Sequence, residues 1–123
     1  MSYYHSNWQE AVKNNDFRKV VYTAHHIQVV MMSVPAGEEI GEEVHDEHDQ
    51  MFVIIAGEGK VMLGKEHIAV RPGDIVVIPA MTYHNVKSLG PVDLKLYSFC
   101  APPHHPVGTL HRTKAEAIPA QEH

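Results

Sequence analysis

Two stretches decide the fold of this chain: Gly37–Gly57 is GEEIGEEVHDEHDQMFVIIAG, and Gly73–Ser88 is GDIVVIPAMTYHNVKS. Both place polar side chains within apolar runs that have the length and composition of β-strands. Glu43 and His45 are two residues apart, so on an extended strand both side chains project from the same face. The pattern predicts strands that carry a group of polar side chains on one face.

Four polar residues of these stretches have the chemistry of metal ligands: Glu43, His45, Gln50 and His84. Gln50 begins the next apolar run, and His84 follows the turn predicted at Pro79. Imidazole, carboxylate and amide groups from separate strands can surround one divalent cation. We therefore expect one divalent metal ion, and these ligands do not distinguish among Fe, Mn, Zn and Ni.

Two alternatives to this ligand set stay open. His48 lies three residues beyond His45, in the loop predicted before Gln50, and could replace Glu43 or Gln50 as a ligand. Alternatively, the glutamate and histidine on the strand form a solvated surface pair, and Gln50 forms a hydrogen bond to a neighbour without binding metal. The pocket would then be empty or purely polar.

Short apolar and β-branched runs, separated by glycine and proline, make up most of the remaining chain. The predicted strands are Phe17–Thr23, Ile27–Val34, Gln50–Ala56, Lys60–Leu63, His67–Val70, Ile75–Ile78 and Val92–Cys100. Roughly eight short strands at close spacing indicate an all-β fold, an antiparallel sandwich or barrel.

A short helix is expected before the strands and a tail after them. Ser6 is a suitable N-cap for a helix over Ser6–Asn14. The tail from Ala101 is rich in proline and histidine, contains a second short helical pattern at Lys114–Ala117, and is expected to lie over the barrel or across a dimer interface. The expected organisation is an N-terminal helical segment at 1–16, a barrel at 17–100 and a C-terminal tail at 101–123.

The composition limits the partners of the chain. Its 123 residues, 44% hydrophobic and 20% charged, suffice for one domain with a core. A formal charge of −5 without a basic block argues against nucleic acid or an anionic membrane as a partner, and no apolar run has the roughly twenty residues of a membrane helix. The single cysteine, Cys100, fits a reducing compartment. Because the first residues also lack a signal-peptide pattern, we expect a cytoplasmic protein.

Two predicted strands lack the alternation of a half-buried strand. Met51–Ile55 and Ile75–Ile78 are apolar on both faces. A second sheet or a partner subunit should therefore cover the outer face, and we expect a homodimer.

Several further residues are weaker candidates for the site. One of His25 and His26 faces inward by strand alternation, towards the pocket or its rim. Tail histidines are expected to be exposed, although a tail that folds over the mouth of the barrel would bring one to the pocket. These are His104, His105 and His111. Cys100 is expected to be buried, and Tyr83 to lie in the core or to present its hydroxyl to the cavity.

The two stretches resemble the motifs of the cupin superfamily of small jelly-roll barrels. The first cupin motif is Gly, five residues, His-x-His, three or four residues, Glu, six residues and Gly. Here Gly37 leads by five residues to Glu43-Val44-His45, by four more to Gln50 and by six more to Gly57. The resemblance implies a cupin jelly-roll barrel.

The second cupin motif is Gly, five residues, Pro-x-Gly, two residues, His, three residues and Asn. Gly73 leads at these spacings to Pro79-Ala80-Met81, His84 and Ser88, so that Met81 replaces a glycine and Ser88 an asparagine. In the first motif, a glutamate replaces the first histidine and a glutamine replaces the glutamate. The ligand set implied by the resemblance is Glu43, His45, Gln50 and His84. Two histidines with one carboxylate also suit non-haem Fe(II).

More narrowly, the chain looks like small single-domain bacterial cupins labelled similar to mannose-6-phosphate isomerase. Their patterns EVHxxxDQ and PPxHPxGTxHxTKAEA match Glu43–Gln50 and Pro102–Ala117. Such cupins include dioxygenases, isomerases and lyases, which implies a metal-dependent enzyme acting on a small polar or sugar-like molecule. A non-catalytic module that binds a small ligand is the alternative, and a structural or storage dimer with a degenerate pocket is the third.

Overall fold

The computed structural model describes residues 3–121 of the chain. Two helices and nine strands follow one another within these residues. In chain order they are α1 (Trp8–Lys13), β1 (Arg18–Thr23), β2 (Gln28–Val34), β3 (Asp49–Ala56), β4 (Gly59–Leu63), β5 (Glu66–Val70), β6 (Ile75–Ile78), β7 (His84–Ser88), β8 (Leu94–Ala101), β9 (Leu110–His111) and α2 (Lys114–Gln121).

The strands form two antiparallel sheets. The larger sheet has the order β6-β3-β8-β2-β1-β9, and the smaller has the order β5-β4-β7. The apolar core comprises buried residues of both sheets, among them Ile54, Leu96, Val61 and Val86, each at most 1% exposed. The mostly-β architecture with a short N-terminal helix confirms the predicted fold class and is consistent with a jelly roll.

Strand β3 shows how alternation orients the first motif. Gln50, Phe52 and Ile54 are buried, whereas Met51 and Val53 between them are half-buried. Since successive side chains of a strand point to opposite faces, Gln50 faces the same interior as the core residues Phe52 and Ile54.

The chain termini differ from the sequence expectation in detail. Asn7, not Ser6, caps α1, because the Asn7 side chain accepts a hydrogen bond of 2.9 Å from the backbone N–H of Gln9. In the tail, β9 pairs with β1 through Arg18 opposite His111 and thereby extends the large sheet. Helix α2 continues beyond Ala117, where the predicted helical pattern ended.

The outer face of β6 is apolar and open within this chain. Ile75 and Val77 are 63% and 60% exposed, and β6 is an edge strand of the large sheet. Among the described residues, no helix is long and apolar enough to span a bilayer.

Candidate metal centre

Backbone hydrogen bonds bring the two motif stretches together. The N–H of Glu43 donates to the carbonyl of His84 at 2.8 Å, and the N–H of His84 donates back to the carbonyl of Glu43 at 2.9 Å. Nearby, the N–H of Met81 donates to the carbonyl of His45 at 2.6 Å. These bonds fix the relative positions of residues that are remote in the sequence.

Met81 adopts a backbone conformation that favours glycine. Its φ angle is 72°, in the left-handed region, which costs a residue with a Cβ roughly 1–2 kcal/mol. This position is the one at which the cupin motif has glycine. The chain therefore keeps the turn of the motif although it lacks the residue that adopts it most easily.

Three of the four predicted ligands converge. The carboxylate of Glu43 and the imidazoles of His45 and His84 each offer a donor atom, and these atoms all lie within 4.8 Å of one another. The Nε2 atom of His45 is 3.6 Å from a carboxylate oxygen of Glu43, and the His45 and His84 ring centres are 5.3 Å apart. The three donor atoms are therefore close enough to bind the same ion.

The hydrogen bonding of His84 leaves one ring nitrogen available to bind a metal. Its Nδ1 atom lies 2.9 Å from the carbonyl oxygen of Thr82. A carbonyl only accepts, so Nδ1 carries the proton and Nε2 of the neutral ring has the free lone pair. Nε2 is buried and has no hydrogen-bond partner among the described residues. A metal-ligating histidine has this arrangement, with one nitrogen oriented by a carbonyl.

The amide of Gln50 is oriented in a comparable way. The Gln50 side chain is buried, and its Nε2 donates to Ser98 Oγ on β8 at 3.0 Å. Its Oε1 atom is buried without a hydrogen-bond partner in the described part of the chain. An unpaired buried acceptor costs about 1–3 kcal/mol, and coordination of a hard or borderline cation would relieve that cost. The chemistry of Gln50 thus fits a ligand.

His48 lies beside this group rather than in solvent. Its side chain is 5% exposed, and its Nε2 is buried without a hydrogen-bond partner among residues 3–121. The His48 ring lies 4.3 Å from the His45 ring, measured between centres. The orientation of His48 could not be predicted from strand alternation, because His48 lies in an irregular loop before β3.

A tail histidine completes a second group. Donor atoms of His45, His48 and His104 all lie within 4.8 Å of one another, and the His104 ring stacks on His48 with centres 4.4 Å apart. His104 is exposed, as expected for a tail histidine, but the tail also brings its ring to the cluster. The sequence indicates that such a tail could bring a histidine to the pocket, but not which one. His105 and His111, which were also expected to be exposed, are half-buried.

Gln28 holds the backbone of this tail segment. The Gln28 side chain is 0% exposed. Its Oε1 accepts from the N–H groups of His104 and His105 at 3.2 and 3.0 Å, and its Nε2 donates to the carbonyl of His105 at 2.8 Å and to Thr23 Oγ1 at 2.9 Å. A buried amide with all of these partners positions His104 beside His45 and His48.

Arg18 is a buried cation close to the site. The sequence alone does not identify it. It is 3% exposed, and its Nη1 lies 3.4 Å from Nδ1 of His111. No carboxylate among the described residues is within ion-pair distance of Arg18. Its positive charge opposes protonation of the neighbouring histidines. Burial lowers the pKa of Arg18, and the nearby charge of Glu43 opposes that shift.

His45 and His48 are neutral at pH 7. Burial, followed by the neighbouring imidazoles His48, His104 and His84, lowers the pKa of His45 to about 3. Burial and the same kind of crowding lower the pKa of His48 to about 4. Neutral imidazole is the form that binds metal, so these two histidines are in a ligand-competent state.

The remaining candidates lie outside the cluster. His25 and His26 are exposed in the connection between β1 and β2. The hydroxyl of Tyr83 points away from the core and donates to Glu42 at 2.6 Å. Cys100 is 0% exposed, as expected, and burial raises the pKa of its thiol to about 11. Neither the tyrosine nor the cysteine supplies a reactive group to the cluster.

Comparisons with known proteins identify the family of this chain. The model of the Cupin domain family matches residues 30–100. The chain is 45% identical over 116 residues to YrkC of Bacillus subtilis strain 168, covering 89% of this chain and 62% of YrkC. It is 36% identical over 107 residues to L612 of Acanthamoeba polyphaga mimivirus, covering 83% of this chain and 66% of L612. The chain thus spans about two thirds or less of the length of these relatives.

Solved structures give the same result for the fold. The crystal structure of BH2720 from Bacillus halodurans has a TM-score of 0.92 and 40% identity, covering 94% of this chain and 93% of that one. KdgF from Halomonas sp. has a TM-score of 0.67 and 26% identity, covering 71% of this chain and 80% of that one. With the family model matching more than half of its residues, the chain belongs to the cupin family.

Proposed function

We propose that this chain is a small metal-dependent cupin enzyme of the dioxygenase, isomerase or lyase type. Its substrate would be a small polar or sugar-like molecule. The observation that carries the proposal is the convergence of Glu43, His45 and His84, with donor atoms within 4.8 Å of one another. The unpaired Oε1 of Gln50 supports a fourth ligand. The likeness to cupins labelled mannose-6-phosphate isomerase-like supports only the sugar-like character of the substrate.

A divalent ion bound there would act as a Lewis acid or redox centre towards a substrate oxygen. The protein groups have separate tasks. Thr82 holds the His84 ring in the tautomer that leaves Nε2 free, and Ser98 holds the Gln50 amide. Gln50 is neutral and cannot move a proton. His48 and His104, adjacent to His45, are the groups placed to accept or return a substrate proton.

A non-catalytic cupin that binds a small ligand is the second candidate. The observation that favours it is the scarcity of acid–base groups around the ligand set. Tyr83 is bonded to Glu42, and His25 and His26 are exposed. If His48 and His104 do not transfer protons, the site could hold a ligand without turning it over.

Metal content tests the shared part of both candidates. Elemental analysis of protein purified without added metal should find one Fe, Mn, Zn or Ni ion per chain. Glu43→Gln and His84→Ala should each weaken metal affinity by more than about 100-fold, a larger loss than removal of an outer-shell partner produces. His67→Ala is the matched control, because His67 is an exposed histidine on β5. Unchanged affinity in both site variants would refute the ligand set.

Turnover separates the enzyme from the binding module. Fe(II)-loaded protein should consume dioxygen with an enediol, diketone or thiol substrate if it is a dioxygenase. If it is an isomerase or lyase, NMR should detect conversion of sugar phosphates or uronates without oxygen uptake. Saturable binding of such compounds with no conversion under either condition would contradict the enzyme and support the binding module.

We also propose that the protein is a cytoplasmic homodimer. The exposed apolar side chains of Ile75 and Val77 on the edge strand β6 support a partner subunit over this face. The free, buried thiol of Cys100 is compatible with a reducing compartment. Sedimentation equilibrium should give twice the mass of one chain, and Val77→Lys should give the mass of one chain. A monomeric unsubstituted protein would refute the dimer.

A further inference from the structure

Two histidines of the cluster lie at positions that the cupin patterns leave open. In EVHxxxDQ, His48 occupies the third unspecified position, and in PPxHPxGTxHxTKAEA, His104 occupies the first. The loop before β3 and the tail after β8 bring these two rings into stacking contact, with 29° between the ring planes. The pair is therefore a feature of this chain in addition to its motif residues.

Together with His45, this pair has the geometry of a ligand set. One donor atom from each of the three imidazoles lies within 4.8 Å of the other two. The rings of His45 and His104 have centres 5.0 Å apart. The buried Nε2 of His48 has no hydrogen-bond partner among residues 3–121. A 5% exposed histidine with an unpaired nitrogen is costly unless a ligand satisfies that nitrogen.

The segment that carries His104 is held in place before any ion binds. Gln28 bonds the backbone of His104 and His105 through three hydrogen bonds of 2.8–3.2 Å. A positioned histidine loses less conformational freedom on coordination than one on a mobile tail. Although the His104 side chain is exposed, its position beside His48 depends on the hydrogen bonds that the buried Gln28 side chain makes to the backbone of this segment.

The local charges are favourable to a cation. The carboxylates of Asp46 and Asp49 interact electrostatically with His48. The carboxylates of Glu43 and Glu47 interact in the same way with His104. Arg18 opposes them from β1. Four carboxylates against one guanidinium leave a net negative surrounding, which attracts a divalent ion to otherwise neutral imidazoles.

We propose that His45, His48 and His104 form an outer metal site, which takes an imidazole-preferring ion such as Zn²⁺, Cu²⁺ or Ni²⁺. Three histidines with an open fourth position suit these ions. The outer site shares His45 with the inner set of Glu43, His45, Gln50 and His84, and differs from it by His48 and His104. His48 and His104 can accept a substrate proton only while no ion occupies this outer site.

Zn²⁺ binding in a His84→Ala background tests this outer site, because that variant disables the inner set. Isothermal titration with Zn²⁺ alone should detect one ion per chain, bound more weakly than in the unsubstituted protein. Adding His48→Ala or His104→Ala to the background should weaken the remaining binding by more than about 10-fold. Adding His67→Ala should leave it unchanged. Co²⁺ in the same background should broaden the imidazole NMR signals of His48 and His104.

Each outcome bears on one proposal. Absence of Zn²⁺ binding in His84→Ala, with binding in the unsubstituted protein, would overturn the outer site and leave the inner set standing. Full Zn²⁺ affinity in His84→Ala and Glu43→Gln, lost with His48→Ala, would support the outer site and refute the inner set.

Discussion

Binding of a divalent ion should raise the melting temperature of the protein by about 10 °C. An ion that binds only the folded state, at a free concentration 100 times its dissociation constant, adds about 2.7 kcal/mol to the free energy of unfolding. An unfolding entropy of about 2.1 cal/mol/K per residue gives about 260 cal/mol/K for a chain of 123 residues. Dividing the first quantity by the second gives the expected shift.

The structure supplies a reason for the stabilisation. Two buried polar atoms of the inner set have no hydrogen-bond partners in the described residues: Nε2 of His84 and Oε1 of Gln50. Each costs about 1–3 kcal/mol while unpaired, and a bound cation would satisfy both. We expect the metal-free protein to fold, because neither His84 nor Gln50 belongs to the apolar core.

Differential scanning calorimetry of EDTA-treated protein, with and without Mn²⁺, Ni²⁺ or Zn²⁺, measures the shift. In His84→Ala, a 100-fold loss of affinity at the same metal concentration leaves about 0.4 kcal/mol and a shift under about 2 °C. His67→Ala should keep the full shift. Shifts of less than about 2 °C with every ion in the unsubstituted protein, or equal shifts in the two variants, would refute the reasoning.

Three further predictions concern the frame of the site. Met81→Gly should raise the free energy of unfolding by up to about 1 kcal/mol, because glycine adopts the left-handed conformation without the Cβ clash but loses more entropy on folding; urea denaturation would detect this gain, and a loss of stability would contradict it. Gln28→Leu should speed amide hydrogen exchange at 104–105 by about 10- to 100-fold, as up to three bonds of about 1 kcal/mol are lost, whereas Thr23→Val, which leaves those bonds intact, should not. The metal-free protein should lose stability as the pH falls below 6.5 towards about 3 to 4. The folded-state pKa values of His45 and His48 lie below the unfolded value, so the unfolded state binds more protons in this window, and each histidine contributes a slope of up to about 1.4 kcal/mol per pH unit. Urea titrations at pH 7.5, 6 and 4.5 would measure this slope, and constant stability would contradict it.

The sequence predicts much of this architecture because its signals are local. Alternation at Gln50, Phe52 and Ile54 determines which side of β3 is buried. The motif spacings anticipated that Glu43 and His84 would meet, although they did not specify the paired backbone bonds between them. The first signal lies within one strand, whereas the meeting of Glu43 and His84, which are remote in the sequence, is implied by the resemblance to the cupin motifs.

The missed parts depend on contacts between distant segments. His104 reaches the cluster only because Gln28, at the start of β2, binds a tail that begins after β8. The burial of Arg18 is not evident from the sequence, because a positive residue at a strand start is usually solvated, whereas here β9 pairs with β1 beside it. No periodicity within a single segment reports such an arrangement.

The reciprocal backbone bonds between Glu43 and His84 have a consequence for how an ion is acquired. Both donors already face one another when the chain has folded, so loading requires neither ordering of a loop nor folding of a domain. Gain and loss of metal should therefore be limited by ion dehydration and passage through the mouth. Removal of the ion should leave an intact barrel that can be reloaded, unlike small zinc domains that unfold when they are stripped.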